Sequence, residues 1–323
     1  FNSKINGIEE SDLIFLIGTN PRFEATILNA RIRKSYVNNL TKILSLSDVG
    51  DLTYPYKTLD GKTKTLVDIF EGKSEITKDI LNAKKPLIIL GESFFKLQSA
   101  DFLFNLIKNF LTNNKKISES WNSLNKISTD ASTVGSLDLK IINEKGNIFE
   151  NLKANNFEII YLLGQDNLNF DKKNEFIIYQ GSHGDKGAEI ADIILPGAAY
   201  TEQNGYFTNL EGKVQKAFKA SYPPGEAKED WQIINDLAEF MNNRKLFNDK
   251  DELESSMFNY INLQQENRVL SDQGTASKNF AESENLTVAY KEYYFSNVIA
   301  RSSKTMLDCY NSKLETKKTG THG

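Results

Sequence analysis

Short apolar runs that end at a glycine or a proline recur along this chain of 323 residues. In the first, Leu13–Ile17, every residue is apolar and Gly18 follows. A continuous apolar run is typical of a strand covered on both faces, and glycine permits a tight turn after it. The other runs predicted as strands are residues 42–46, 87–90, 158–163, 176–179 and 189–195.

Apolar residues at helical spacing separate these runs. After the first strand, Asn20 is a good N-cap for a helix. Phe23, Ile27 and Ala30, with the stem of Lys34, then fall on one face, which is the pattern of a helix that packs against a core. Further helices are predicted at residues 66–71, 95–111, 121–132 and 228–241.

Alternating strands and helices predict an α/β fold with parallel sheets. We expect two Rossmann-like lobes, at residues 1–85 and 86–241, followed by a polar and mostly helical C-terminal extension at residues 242–323. Within the second lobe, Asn204-Gly205 favours the tight turn of a hairpin near residues 199–215, because both residues tolerate positive φ.

The extension contains helical pieces at residues 253–263 and 290–310, and residues 316–323 are predicted to be disordered. The chain opens at Phe1 without a basic, apolar leader, which suggests a mature or split product.

Cysteine and histidine are too rare for most metal sites. Cys309 is the single cysteine, and an iron–sulfur cluster usually needs four thiolates. His183 and His322 are the only histidines, so a multi-histidine metal site is excluded. We therefore expect no metal site, and Cys309 is interpreted as a small buried residue on a helix.

The charge balance is mild, with 39 basic and 43 acidic residues and a formal net charge of -4. This gives no electrostatic footprint for nucleic acid. No apolar run approaches the roughly 18 to 20 residues that cross a bilayer, so no membrane span is predicted.

Four polar segments follow predicted strands or flank the hairpin, and each has two interpretations. The turn at residues 18–22 suits a phosphate cradle or an ordinary capped turn. Residues 164–167 suit a contact with a ribose, or a turn in which Asp166 and Asn167 hydrogen-bond their own backbone. His183 and Asp185 suit a proton-transfer pair or a hydrogen-bonded loop. Two polar clusters flank the hairpin, at residues 201–205 and 208–212. They could line a pterin-like ligand, or they could hydrogen-bond one another and the loop backbone.

Several motifs carry a resemblance to a known family. GTNPRFEA is followed by NARIRK, and IADIILPGAAYTEQNGYFTNLEGKVQ, PPGEAKEDWQII and FSNVIARSSKTMLDC come later. Together they resemble the large iron–sulfur subunit of respiratory complex I, the proton-pumping NADH:ubiquinone oxidoreductase. They match the part of that subunit that descends from molybdopterin oxidoreductases, and the likeness runs from Gly7 to Cys309.

The resemblance implies which residues correspond to the old cofactor turns. In molybdopterin oxidoreductases the matching turns hold the cofactor's phosphates and guanine. The vestigial cofactor-binding residues expected here are Gly18, Thr19, Asn20, Pro21, Gly164 and Asp166. Because the complex I subunits hold no molybdenum in this region, the resemblance implies no catalytic residue, no metal and no cofactor in this chain.

The function implied by the resemblance is structural. We expect a scaffold in the hydrophilic arm of complex I, peripheral on the matrix side of the mitochondrial inner membrane. The expected partners are a separate cysteine-rich N-terminal half that carries the iron–sulfur clusters, and other subunits of the arm. Two alternatives stay open, a fragment of an active molybdopterin oxidoreductase and a free-standing nucleotide-binding protein.

Overall fold

The chain divides into two compact units, each with its own parallel sheet. The first unit comprises Phe1–Val134, Thr208–Lys213 and Val269–Glu292, and the second comprises Gly135–Phe207, Val214–Arg268 and Tyr293–Gly323. The computed structural model describes residues 1–141, 148–154, 156–165, 168, 170–266, 280, 284–289 and 295–319.

The first unit is built on a five-stranded sheet in which all pairs are parallel. Its strands are β1 Leu13–Ile17, β2 Lys42–Ser45, β3 Lys57–Thr58, β4 Pro86–Leu90 and β5 Leu124–Lys126. Their order is β3-β2-β1-β4-β5, so β2 and β3 lie on one side of β1, and β4 and β5 lie on its other side. The carboxyl ends of β1 and β4 therefore form a topological switch point, where α/β folds commonly place a ligand.

Helices cover both faces of this sheet. They are α1 Pro21–Glu24, α2 Thr26–Asn39, α3 Thr63–Phe70, α4 Glu75–Asn82 and α5 Ala100–Asn113. Phe15 and Ile17 of β1 belong to one hydrophobic cluster, and Ile14 and Leu16 belong to another. Because successive strand residues face opposite sides of a sheet, β1 contributes to two cores, and its predicted burial on both faces is confirmed.

The second unit contains a three-stranded parallel sheet in the order β6-β7-β8. Its strands are β6 Ile159–Leu163, β7 Phe176–Gly181 and β8 Ile193–Pro196. The neighbouring helices are α6 Thr133–Asp138, α7 Ile148–Lys153, α8 Lys186–Glu189 and α9 Asp230–Asn242. Its described core is small and centres on Leu162, Ile177 and Tyr179.

The α/β prediction with parallel sheets is confirmed, but the units differ from the predicted lobes. Strand β4 pairs with β1 along its whole length, from Leu13–Pro86 to Ile17–Leu90, so residue 86 cannot begin a separate lobe. The first unit instead continues to Val134. The predicted helix at residues 121–132 is wrong, because residues 124–126 form β5 against β4.

The hairpin is present, but its turn lies elsewhere. Strands β9 Gly205–Thr208 and β10 Val214–Ala217 pair with each other. The turn between them is held by the Asn209 side chain, whose Oδ1 accepts the amides of Glu211 and Lys213 at 3.0 and 2.9 Å. Gly212 supplies the positive φ of 82°. The predicted turn at Asn204-Gly205 is therefore wrong, because residues 209–212 have a stronger local turn.

The C-terminal part is helical, as predicted. Its helices are α10 Lys250–Glu266, α11 Val298–Ser302 and α12 Lys304–Thr319. The predicted disordered end differs, since residues 316–319 continue α12, and residues 320–323 lie outside the described residues. Residues 290–294 of the predicted helical piece at 290–310 also lie outside them. Among the described helices, none has the length and apolar content of a membrane span.

Candidate functional site

The turn after β1 depends on Gly18, which has a φ of 68°. A Cβ added there would lie 2.6 Å from the backbone nitrogen of Phe94, far closer than non-bonded carbon and nitrogen atoms pack. Asn20 caps α1, since its Oδ1 accepts the amide of Arg22 at 3.1 Å, and Pro21 occupies the first helical position. The predicted cap is confirmed, and the sequence therefore positions this turn by a glycine, a cap and a proline.

Glu24 occupies the hydrogen-bond donors of this turn. Its Oε2 accepts the Thr19 hydroxyl at 2.5 Å and the Asn20 amide at 2.5 Å. Burial raises the pKa of Glu24, while the bonds from Thr19 and Asn20 oppose that rise and the charge of Glu92 adds to it. A carboxylate of the chain itself thus sits where a phosphate cradle would receive its anion.

Arg22 is also bound internally. Its Nη1 donates to Asp51 Oδ2 at 2.6 Å and to the Asp51 carbonyl at 2.8 Å. The positive charge of Arg22, which the sequence suggested for binding a phosphate, is therefore paired with an acidic side chain of the same unit.

The turn after β4 presses against the turn after β1. A Cβ added at Gly91 would lie 2.2 Å from the carbonyl oxygen of Gly18, so the two backbones touch at the switch point. The next residue, Glu92, accepts the amide and hydroxyl of Thr129 at 2.9 and 2.7 Å. The carboxylate that follows β4 is therefore also satisfied within the unit.

Residues 284–289, which we call the strap, bind the same end of the sheet. The Glu284 carboxylate accepts the amides of Gln98 and Ser99 at 2.7 and 3.2 Å, and the Ser99 hydroxyl at 2.9 Å, just before α5 begins. The Glu284 carbonyl accepts the amide and hydroxyl of Thr63, both at 3.0 Å, where α3 begins. One residue of the strap thus binds the chain at the starts of two helices, α3 and α5.

The strap continues beside the turn after β4. The Ser93 hydroxyl donates to the Ala289 carbonyl at 3.1 Å, and the Ala289 amide donates to the Ser93 hydroxyl oxygen at 3.0 Å. Leu286 is 3% exposed and joins the core. No sequence pattern predicted these contacts, because the strap is remote in the chain and lacks helical or strand periodicity.

A cavity of about 340 Å³ remains between the strap and the turn. Asn20, Asp48 and Leu286 are among its lining residues, and the described lining contains no lysine or arginine. Bonds from the Gly50 amide and the Tyr56 hydroxyl lower the pKa of Asp48, which keeps its carboxylate charged at neutral pH. An acidic wall without a basic partner disfavours a phosphate in this cavity.

The remaining predicted site residues belong to the second unit. Gly164 follows β6 with a φ of 61°, and its amide donates to the Gln180 carbonyl at 2.7 Å. Asp166 lies outside the described residues. The structure therefore brings together Gly18, Thr19, Asn20 and Pro21 in one turn, while Gly164 belongs to a different unit.

A polar network in the second unit was not predicted. Gln180, which is fully buried at the end of β7, donates from Nε2 to Asp230 Oδ1 at 2.8 Å. Gln203 Nε2 donates to Asp230 Oδ2 at 2.8 Å, and the Tyr161 hydroxyl donates to Gln180 Oε1. A glutamine directly after the apolar run at 176–179 was the available signal, and this network ties β6, β7, the hairpin region and α9 together.

The other polar segments are satisfied locally. His183 Nδ1 lies 2.9 Å from the Ser182 hydroxyl, and Asp185 accepts the Lys186 amide at 2.9 Å as the cap of α8. Glu202 accepts the Ala199 amide at 3.0 Å. These bonds favour the structural interpretation of both segments.

Metal-binding chemistry has no described site. No group of three or more His, Cys, Asp or Glu side chains converges in the part of the chain that the structure describes. Cys309 lies on α12 as predicted, but it is exposed rather than buried.

Two protein families match the chain. The molybdopterin oxidoreductase family matches residues 1–240. A family described as the C-terminal part of the NADH-ubiquinone oxidoreductase G subunit matches residues 252–309.

Three curated relatives are named as subunits of NADH-ubiquinone or NADH-quinone oxidoreductase. The chain is 36% identical over 317 residues to the NADH-ubiquinone oxidoreductase 75 kDa subunit of Reclinomonas americana, with 95% of the chain and 46% of that protein aligned. It is 36% identical over 337 residues to the mitochondrial 78 kDa subunit of Candida albicans, with 98% and 46% aligned. It is 34% identical over 324 residues to the NADH-quinone oxidoreductase G subunit of Rickettsia bellii, with 99% and 47% aligned. The chain therefore spans about half the length of these relatives.

Proposed function

The chain belongs to the molybdopterin oxidoreductase family, and from this premise we propose that it is a non-catalytic scaffold of respiratory complex I, the NADH:ubiquinone oxidoreductase. It belongs to the hydrophilic arm, peripheral on the matrix side of the mitochondrial inner membrane. Support comes from the second family match, over residues 252–309, and from the names of the relatives.

Within this proposal, electron transfer is carried by other parts of the complex. One cysteine is too few for an iron–sulfur cluster, so the clusters reside on a cysteine-rich N-terminal half. That half is supplied as a separate chain or segment, and it is the first partner of this chain, together with other subunits of the arm.

The observation that carries the scaffold proposal is the occupation of the switch point by the chain's own carboxylates. Glu24 binds the donors of the turn after β1, and Glu284 binds the donors in front of α5. A buried amide or hydroxyl that already has a carboxylate acceptor gains little from a ligand phosphate, which must first displace that carboxylate.

The described residues of the first unit do not fit an anionic pterin–nucleotide cofactor. Arg22 is paired with Asp51, and the cavity beside the turn has Asp48 on its wall. Binding a phosphate there would place two like charges close together in a partly buried site. We assign no reaction step to such a cofactor.

The family match over residues 1–240 also favours a second candidate, a fragment of an active molybdopterin oxidoreductase. This candidate requires a molybdenum ligand, and it predicts molybdenum or tungsten bound in stoichiometric amount. The scaffold predicts neither.

Purification of a tagged chain in mild detergent tests both candidates. We expect the tagged chain to migrate on native gels with NADH dehydrogenase activity and with a cysteine-rich iron–sulfur polypeptide. After the chain is separated from its partners, elemental analysis should find no stoichiometric molybdenum, tungsten, iron or zinc. A chain that migrates alone, or that retains stoichiometric molybdenum, contradicts the scaffold.

A further inference from the structure

Helix α2 presents an apolar stripe to solvent. Ile27 is 68% exposed and Val37 is 63% exposed, and Ala30 between them is also exposed. The face of α2 that packs on the sheet is the opposite one, and it contains Leu28 and Ile32. The sequence prediction for this helix is therefore wrong, because the apolar face predicted to meet the core points outward.

The exposed positions have the spacing of a helix-packing seam. Ile27, Ala30, Lys34 and Val37 follow one another at intervals of three, four and three residues. This is the 3-4 spacing with which one helix packs against a second along a shallow crossing angle. A small alanine in the middle allows a second helix to approach closely, and the Lys34 stem adds apolar surface.

Leu40 extends the stripe past the end of α2 in an unfavourable conformation. It is the C-cap residue, with a φ of 52° and 78% of its surface exposed. Glycine or asparagine is favoured at such left-handed positions, since a Cβ is strained there. An exposed leucine at this position stabilises neither the helix end nor the core of the first unit, which points to a contact outside the chain.

The charge of α2 indicates the chemistry of that contact. Its residues include Arg31, Arg33 and Lys34 and no aspartate or glutamate. Glu9 pairs with both Arg31 and Lys34, the latter at 2.7 Å. Arg33 is exposed and has no ion-pair partner among the described residues, so the surface around the stripe keeps a positive excess.

We propose that the outer face of α2, from Ile27 to Leu40, docks an amphipathic helix of another complex I subunit. The docked helix has an apolar ridge flanked by aspartate or glutamate, which complements the stripe and Arg33. This inference rests on the proposed function, because it takes the partner from the assembled complex.

Site-specific photocrosslinking tests the docking surface in the assembled complex. A photoreactive phenylalanine analogue replaces Val37 in the full chain, and the same analogue at Lys78 on α4 serves as the control, because Lys78 is exposed in the same unit. Mass spectrometry then identifies the crosslinked peptide. We expect position 37 to crosslink one segment of another subunit that has apolar residues at 3-4 spacing and acidic flanks. Position 78 should not crosslink that segment.

Each other outcome overturns the docking proposal. A crosslink to a second copy of the chain, to a segment without acidic residues, or no crosslink in a complex that has assembled would each do so. If the unsubstituted chain does not enter complex I at all, the proposed function fails first and the docking proposal with it. Native gels of the unsubstituted chain separate these two failures.

Leu40→Gly provides a readout that a merely structural role would not give. We expect the thermal midpoint of the purified chain to stay the same or rise, because glycine relieves the left-handed strain. The fraction of the chain found in complex I should nevertheless fall several-fold. Leu81→Ala on α4 is the matched control, since Leu81 is also apolar and partly exposed, and it should not reduce that fraction. A parallel loss of midpoint and assembly in Leu40→Gly contradicts the inference.

Discussion

At the scale of single residues, Gly18 decides the geometry of the switch point. Gly18→Ala adds strain at positive φ and places a Cβ 2.6 Å from the Phe94 nitrogen. We expect the free energy of unfolding to fall by about 2 to 4 kcal/mol. Gly72→Ala is the control, because Gly72 has a φ of 89° but open space around the added Cβ, and about 1 kcal/mol is expected. Urea denaturation measures both, and equal losses would show that the contact with Phe94 costs nothing.

Glu24 gives the stability of the first unit a pH dependence whose sign follows from burial. Burial, the largest effect, raises the pKa of Glu24 above its ordinary value of 4.5, although the bonds from Thr19 and Asn20 lower it. A raised pKa means that the folded chain holds this proton more tightly than the unfolded chain does. The resulting stabilisation is complete below pH 4.5 and is lost as the pH rises through the folded-state pKa.

Glu24→Gln should therefore lose less stability than the unsubstituted chain between pH 4.5 and neutrality. The measurement is urea denaturation of both proteins at a series of pH values. Other titrating groups are the same in both, so the difference in slope belongs to Glu24. Parallel pH profiles would show that the Glu24 pKa is not raised.

At the scale of elements, the strap is predicted to stabilise the first turn of α5. Glu284→Ala removes the acceptor of the Gln98 and Ser99 amides, and Ser99 does not cap the helix with its own side chain. Loss of hydrogen bonds to a charged acceptor costs about 1 to 3 kcal/mol. Hydrogen exchange of the amides at the start of α5 should quicken.

Glu71→Ala is the control for the strap, because among the described residues the Glu71 side chain forms an exposed pair with Lys73 at 2.5 Å and no bond to α5. Exposed pairs contribute roughly 0 to 1 kcal/mol, so exchange at α5 should not change. If exchange at the start of α5 is as slow in Glu284→Ala as in the unsubstituted chain, water replaces the Glu284 carboxylate without loss of stability.

The elements also show what the sequence could predict. The strand β1 was predictable because all of Leu13–Ile17 is apolar, and burial on both faces leaves no other pattern. The outward face of α2 was not, since periodicity identifies an apolar face but not the surface that covers it. The strap was beyond prediction, because Glu284 meets Ser99 and Thr63 only after the sheet has formed.

The candidate site was predictable in part. The turn with Gly18, Asn20 and Pro21 follows from strand, glycine, cap and proline signals in sequence order. The position of Glu24 in this turn does not follow from the sequence pattern, although a carboxylate four residues after an N-cap can fold back onto the turn. Gln180 and Asp230 are far apart in sequence, so their bond depends on tertiary packing.

At the scale of the whole molecule, the proposed scaffold role predicts that a substitution changes the amount of assembled complex I but not its turnover. Gly18→Val combines a β-branched side chain with positive φ and a backbone clash, so the first unit should fold poorly. We expect less assembled complex I on native gels but an unchanged rate of NADH:ubiquinone electron transfer per assembled complex. Arg22→Ala, which removes the exposed ion pair with Asp51 and the bond to the Asp51 carbonyl, should change neither quantity. If Arg22→Ala instead lowers the rate per complex at normal assembly, the turn at residues 18–22 binds a group that takes part in electron transfer, and the chain is more than a scaffold.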